Sequence, residues 1–144
     1  MIVGFTIKLI SAERKAIPKG RIDINSSPKI VSISQAESSF MQREKPLNIE
    51  FEFLTKYEPK VGEIKIIGNI FYIGKDMKKI LEVWGKDKKI SKELEVEIKN
   101  FLFRKCLTIG VNLSENMQLP PPLMFPTIIP KKIQKKSQNP TYIG

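Results

Sequence analysis

The stretch LNIEFEFLTKYEPKVGEIKIIGNIFYI, residues 47–73, decides the fold. In its first half, apolar residues from Leu47 to Phe53 alternate with polar ones, which is the period of a strand with one buried face. The motif EPKVG then predicts a turn. In the second half, apolar residues occupy both odd and even positions. Such a strand is central in its sheet, or lies against a second layer or a partner.

Two further strands are predicted before residue 47. Near the N-terminus, apolar and polar residues alternate, which predicts a half-buried strand. The next strand follows KG at 19–20 and contains Ile22 and Ile24. Its pairing should be interrupted at NSSP, residues 25–28, because proline has no N–H to donate to a ladder. The apolar residues of the first strand that we expect on one face are Val3, Phe5, Ile7 and Leu9.

The apolar spacing becomes helical after Gly74. A first helix is predicted within 76–89 and a second within 91–108, where Ser91 is placed to cap the first turn. Arg104 and Lys105 then fall in the last turn of the second helix. The apolar residues at helical spacing are Met77, Ile80, Leu81 and Trp84 in the first helix, and Leu94, Ile98, Phe101, Leu102 and Cys106 in the second.

A run of strands followed by a run of helices indicates an α+β fold. We predict a four-stranded antiparallel sheet followed by two helices, built by residues 1–115 as one domain. Residues 116–144 form a Pro-rich, basic tail. We expect this tail to be extended, because its prolines disfavour a helix.

This order of elements resembles the bacterial export chaperone SecB and its relatives. The local likeness is best in FRKCLTIGVNLSENMQLPPPLMFP, residues 103–126, where a basic residue and a cysteine lead into a small-residue turn and a Leu-Pro segment. The resemblance covers most of residues 1–126 and implies a SecB-like fold. SecB proteins are acidic tetramers that bind unfolded chains in apolar grooves, whereas this chain is basic. It is also similar to small archaeal proteins of SecB-like fold, which implies association with ribosomes.

The charge of the chain favours a polyanionic partner. Its 144 residues carry a net charge of +10, and the pI is near 9.7. Nucleic acid and acidic membrane surfaces both suit such a charge. Residues 1–30 carry +4, 31–74 carry −1 and 75–105 carry +4. The last acidic residue is Glu115, so every charged side chain in the final 29 residues is cationic. The sequence therefore predicts a near-neutral scaffold with cationic ends.

Residues suited to catalysis or metal binding are scarce. The chain has no histidine, the commonest general base and metal ligand, and its single cysteine, Cys106, falls on an apolar helix stripe. Glu50 and Glu52 lie on the same face of a strand. A solvent-exposed outer face explains this spacing better than a cation site does. We expect a non-enzymatic protein without cofactor or metal. Because one cysteine allows no disulfide framework, we expect a cytoplasmic setting.

The leading interpretation is a structural RNA-binding protein of the ribosome. Its tail and one basic loop would contact rRNA phosphates, and neighbouring ribosomal proteins are the other expected partners. Tyr142 stacks on a base or packs on the protein, and the sequence favours neither. The predicted RNA-binding residues are Lys131, Lys132, Lys135, Lys136 and Tyr142 in the tail, and Arg14, Lys15, Lys19 and Arg21 in the loop.

The alternative is a SecB-like chaperone or peptide-binding module that binds through apolar surface. A homo-oligomer is expected only if this alternative holds. Its candidate residues are Phe71, Ile73 and Trp84. Packing in a core or a subunit interface is the favoured explanation for these three. A third interpretation, a membrane-surface protein, is weaker because the sequence has no basic amphipathic helix with bulky aromatic residues.

Overall fold

One antiparallel sheet and two helices form the described part of the chain, which comprises residues 1–37, 45–124, 126 and 128 of a computed structural model. The strand order is β1-β4-β3-β2, and every neighbouring pair is antiparallel. The predicted α+β class, with four strands followed by two helices, is confirmed. The elements are β1 (Ile2–Arg14), β2 (Asp23–Gln35), β3 (Leu47–Glu58), β4 (Gly62–Tyr72), α1 (Met77–Asp87) and α2 (Lys92–Asn116).

The core lies between α2 and one face of the sheet, which we call the inner face; the opposite side is the outer face. Helix α2 packs on β2, β3 and β4. Its Ile98 and Leu102 are 0% exposed, and the rings of Phe53 and Phe103 meet edge-on at 5.6 Å between centroids. Of the alternatives predicted for β4, a central position in the sheet is the one observed. The buried inner-face residues of β3 and β4 include Leu47, Ile49, Phe51, Phe53, Thr55, Tyr57, Ile64, Ile66 and Ile70.

Strand β1 departs from simple alternation. Two irregularities interrupt its pairing with β4, and the second falls between Ile7 and Leu9. Ile7 lies opposite Gly68 on the inner face, whereas Leu9 lies opposite Ile67 on the outer face. The prediction that the apolar residues of this strand share one face is therefore wrong for Leu9. The physical reason is that an irregular residue in one strand reverses the side on which later side chains point.

Strand β2 pairs with β3 through residues 25–28 without interruption, contrary to expectation. Pro28 lies opposite Phe53, and it is tolerated because β2 is an edge strand. The irregularity in β2 occurs later, between Ile30 and Ser32.

Helix α2 begins as predicted but ends later. The Ser91 hydroxyl accepts a hydrogen bond of 3.3 Å from the N–H of Leu94, which confirms the N-cap. The helix continues to Asn116, so Arg104 and Lys105 lie in its middle and not in its last turn. In the extra turns Gly110 and Ser114 are buried, and Ile109 and Leu113 pack against the core. The Ser114 hydroxyl donates to the carbonyl of Val111 within the helix, at 2.8 Å.

A short extended segment follows α2 and packs back on the body. Leu119 is 5% exposed, and its N–H donates to the carbonyl of Ser114 at 2.9 Å. The Tyr57 hydroxyl donates to the carbonyl of Pro120 at 2.8 Å. Most of the predicted tail, including all four of its lysines, lies outside the described residues.

Candidate functional site

The two edges of the sheet differ in chemistry. Strands β1 and β2 form the edges, and no strand within 1–37 or 45–124 pairs with the free side of either. A strand with unpaired N–H and C=O groups accepts a further strand unless proline or charge blocks it. Strand β2 carries Pro28 and Lys29 in its middle. In β1, residues 2–11 contain no proline and one charged residue, Lys8. Strand β1 is therefore the edge that is open to another strand.

Strand β1 also exposes apolar side chains on both of its faces. Ile7 is 37% exposed, Leu9 45% and Ile10 47%. Ile7 and Ile10 belong to the inner face, and Leu9 belongs to the outer face. On the inner face, Phe5 contacts Phe101 of α2, whereas Ile7 and Ile10 are each more than one third exposed.

Apolar side chains line the flank of α2 that faces β1. The rings of Phe5 and Phe101 meet edge-on at 5.5 Å between centroids, which identifies the flank of α2 that faces β1. Ile109 and Leu113, like Phe101, each immediately precede a buried residue of α2, so the three lie on the same flank. All three are partly buried against the core. We call this surface the β1 valley and define it by Phe5, Ile7, Ile10, Phe101, Ile109 and Leu113.

Cations border the β1 valley. The guanidinium carbon of Arg104 and the ammonium of Lys105 each lie 5.8 Å from the centroid of the Phe101 ring, within reach of a cation–π attraction. At the other end, Arg14 donates a hydrogen bond of 3.3 Å to Oε1 of Gln118, just beyond α2. None of these three cations forms an ion pair with another described residue. The valley thus has an apolar floor and a positive rim.

The predicted basic loop lies where the chain leaves β1 for β2. Arg14, Lys15, Lys19 and Arg21 are all exposed. Arg21 forms an ion pair with Asp23 at 3.5 Å, so its charge is partly compensated. The structure brings Arg14 to the segment that follows α2. The predicted tail residues Lys131, Lys132, Lys135, Lys136 and Tyr142 lie outside the described residues.

The apolar residues that the sequence singles out are not the exposed ones. Trp84 is 9% exposed and belongs to the core, as the favoured explanation has it. Phe71 and Ile73 are half-buried and help to line a cavity of ≈ 310 Å³ beside the start of β1. Sequence reasoning misses the exposed residues of β1 as a site. The available signal is IKLI at 7–10, where two adjacent apolar residues break the alternation.

The described residues show little that suits catalysis. Among them, no three His, Cys, Asp or Glu side chains come together to hold a metal ion. Glu50 is engaged on the outer face, where it accepts from the Ser32 hydroxyl at 3.2 Å and pairs with Lys8 at 3.7 Å. Cys106 is fully buried, and burial raises the pKa of its thiol to about 12. Its nucleophilic thiolate is therefore not formed at neutral pH.

Comparison with known proteins adds a distant structural likeness. No protein-family model and no curated protein matches the chain. Among solved structures, the chain is similar to the Rv1957 SecB-like chaperone of Mycobacterium tuberculosis, in complex with a ChAD peptide from the Rv1956 HigA1 antitoxin. The two share 13% identity over 90% of this chain and 91% of that chain, with a TM-score of 0.43. At this level the likeness carries no argument about function, and it lends no support to archaeal or ribosomal association.

The helices give no sign of a membrane span. Among the described residues, neither helix combines the length and the apolar character needed to cross a bilayer.

Proposed function

We propose that this protein binds extended, apolar segments of unfolded polypeptides, as a chaperone or peptide-binding module. The observation that carries this proposal is the free edge of β1 beside exposed Ile7, Leu9 and Ile10. A segment that adds to this edge gains main-chain hydrogen bonds, and its alternate side chains reach the apolar residues on both faces. Because the main chain supplies much of the contact, binding should tolerate many client sequences.

The free energy available to such binding is modest. Full burial of a Leu or Ile side chain contributes about 1.5–3 kcal/mol. Covering the exposed 37–47% of three such side chains therefore contributes roughly 2–4 kcal/mol. Each main-chain hydrogen bond adds about 0.5–1.5 kcal/mol, and ordering of the segment offsets part of the gain. We expect weak, reversible binding, which suits temporary retention of an unfolded chain.

The test compares single substitutions at the two edges of the sheet. Ile10→Lys places a charge on the β1 edge, where charge blocks strand addition. Val31→Lys is the matched control on β2, because Val31 is 44% exposed and Ile10 47%. Each purified variant is checked by circular dichroism and then assayed for suppression of aggregation of an unfolded client. We expect Ile10→Lys to lose most of this activity and Val31→Lys to keep it. Full activity of Ile10→Lys would refute the proposal.

A second candidate function, binding to the RNA backbone of the ribosome, is favoured by charge. The chain carries +10, and Arg14 contacts Gln118, where the chain leaves α2 toward the tail lysines. This candidate treats residues 1–115 as the body and 116–144 as an extended arm of a cytoplasmic protein. Cations of the loop and the arm would then neutralise rRNA phosphates.

Salt-dependent sedimentation with ribosomes tests the second candidate. Each lysine–phosphate contact contributes a log–log salt slope of about −0.7 to −0.9, so four contacts change affinity about a hundredfold between 50 and 200 mM salt. A chain cut after Pro126 should keep the described body and lose co-sedimentation. If the shortened chain sediments with ribosomes as strongly as the full chain, the tail is not the binding element. Ile10→Lys should not change sedimentation, so the two candidate functions predict opposite patterns.

A further inference from the structure

Resting on the proposed polypeptide binding, we propose that the segments this protein selects are acidic. The preferred segment has apolar side chains at alternate positions and carboxylates directly beside the apolar run. The apolar positions enter the β1 valley, and the carboxylates meet its positive rim.

The rim cations are available to a partner. Arg104 and Lys105 are exposed and contact the Phe101 ring, and Arg14 is exposed and bonded to the neutral side chain of Gln118. The ion pairs among the described residues involve other cations, such as Lys8 with Glu50 on the outer face. A carboxylate that reaches Arg14, Arg104 or Lys105 therefore displaces no described ion pair.

The flank of α2 that faces β1 changes sign along its length. Its first turns carry Glu93 and Glu97, and Glu97 lines a shallow cavity with Ile2. From Phe101 onward the same flank carries Lys105 and then the apolar Ile109 and Leu113. Arg104 lines the same cavity as Glu97 at the Ile2 end, so the cations begin beside the last of these acids, and Lys105 follows along the floor of the β1 valley. A basic segment would place its charges against the cations, which is unfavourable across a polar rim.

The expected preference for acidic over neutral segments depends on a few exposed ion pairs. Exposed pairs change an affinity by about 1.5- to 5-fold each, and added salt screens them. Two such pairs predict that an acidic segment binds about 2- to 25-fold more tightly than a neutral one at low salt. Direct charge repulsion predicts that a basic segment binds more weakly than the neutral one.

The experiment uses three fluorescent peptides with one alternating Ile-Ser core, flanked at both ends by Asp pairs, Ser pairs or Lys pairs. Dissociation constants for the full chain are measured by fluorescence anisotropy at 50 and 500 mM NaCl. We expect the order Asp-flanked, Ser-flanked, Lys-flanked at low salt, and convergence of the three values at high salt.

Two double variants locate the preference on the protein. Arg104→Gln/Lys105→Gln removes two charges from the rim. Lys86→Gln/Lys89→Gln removes two exposed charges near α1, which packs on β2 at the opposite edge. The first variant should lose most of the preference for the Asp-flanked peptide, with Arg14 as the remaining rim cation. The second should retain most of the preference of the unsubstituted chain.

The outcomes separate this inference from the function on which it rests. If all three peptides bind equally at low salt, selection of acidic segments is wrong and polypeptide binding stands. If none of them binds, the proposed function itself fails. An equal loss of preference in both double variants overturns the inference, because net charge and not the valley would then be responsible. A single-stranded RNA oligonucleotide is tested as a competitor of the bound peptide. If the RNA displaces the peptide and binds Arg104→Gln/Lys105→Gln less tightly, the inference is overturned, since the rim would then serve nucleic acid.

Discussion

The hydroxyl of Tyr57, near the end of β3, donates a hydrogen bond of 2.8 Å to the carbonyl oxygen of Pro120, in the segment that follows α2. The two residues are 63 positions apart in the chain. Tyr57 is 1% exposed, and its neighbour Ser114 is fully buried. This bond holds the extended segment against the body, close to where the chain continues toward its basic end.

Replacing Tyr57 by Phe should lower the free energy of unfolding by about 1 kcal/mol, because the partly buried Pro120 carbonyl loses its donor. Urea denaturation at pH 7 measures the difference. Tyr72→Phe serves as the control, since the Tyr72 hydroxyl makes no hydrogen bond to another described side chain or carbonyl. An unchanged urea midpoint for Tyr57→Phe would show that this hydrogen bond contributes nothing to the free energy of unfolding.

The same phenol should make stability depend on alkaline pH. Burial raises the pKa of Tyr57 to about 12, and the adjacent Ser114 side chain partly opposes that rise. In the unfolded chain the phenol ionises near its ordinary pKa of 10. The protonated phenol therefore favours the folded state fully below pH 10, and this contribution is lost as pH rises from 10 toward 12.

Urea midpoints measured between pH 9 and 12 test the alkaline effect. The unsubstituted chain should lose stability more steeply than Tyr57→Phe, which has no phenol to ionise at this position. Burial also raises the pKa of Tyr72, so some decline is expected to remain in the variant. If the urea midpoints of the two chains fall in parallel as pH rises, the alkaline effect does not come from Tyr57.

Two glycines should respond oppositely to substitution by alanine. A Cβ at Gly68 would collide with the carbonyl oxygen of Thr6 in β1 and lie 3.0 Å from Cα of Ile7. Gly68→Ala should therefore cost about 1–3 kcal/mol and weaken the β1–β4 pairing. A Cβ at Gly85 in α1 meets nothing within 4 Å, so Gly85→Ala should stabilise the protein by up to about 1 kcal/mol.

Thermal unfolding of the two glycine variants provides the measurement. Gly68→Ala should also bind apolar peptides less tightly, because β1 supplies the proposed binding edge. A melting temperature for Gly68→Ala equal to that of the unsubstituted chain would mean that β1 moves away at little cost.

Cys106 should be unreactive in the folded protein. It is 0% exposed, and burial raises its pKa to about 12, so little thiolate exists at pH 8. Reaction with a chromogenic disulfide reagent should be slow without denaturant and should follow the unfolding transition in urea. Rapid reaction with one equivalent of the reagent in native buffer would show that the part of α2 around Cys106 opens readily.

Local pattern was sufficient for several features of the fold. The alternation at 47–53 predicts β3, and the run apolar on both faces predicts a central β4, because strand periodicity depends on neighbours in the chain. Ser91 predicts the start of α2 for the same reason, since a cap bonds to backbone three residues away. The candidate site was harder to foresee, because the residues of the β1 valley come from both ends of the described chain.

By itself, the sequence determined the α+β class, the order of elements and the cationic excess, all of which follow from composition and from short-range spacing. Tertiary structure alone decided that Ile7 and Leu9 point to opposite faces, that Pro28 is harmless on an edge, and that α2 runs on to Asn116. It also decided which apolar residues stay exposed. Exposure depends on where α2 crosses the sheet, and that crossing is set by packing between residues far apart in the chain, which no local pattern records.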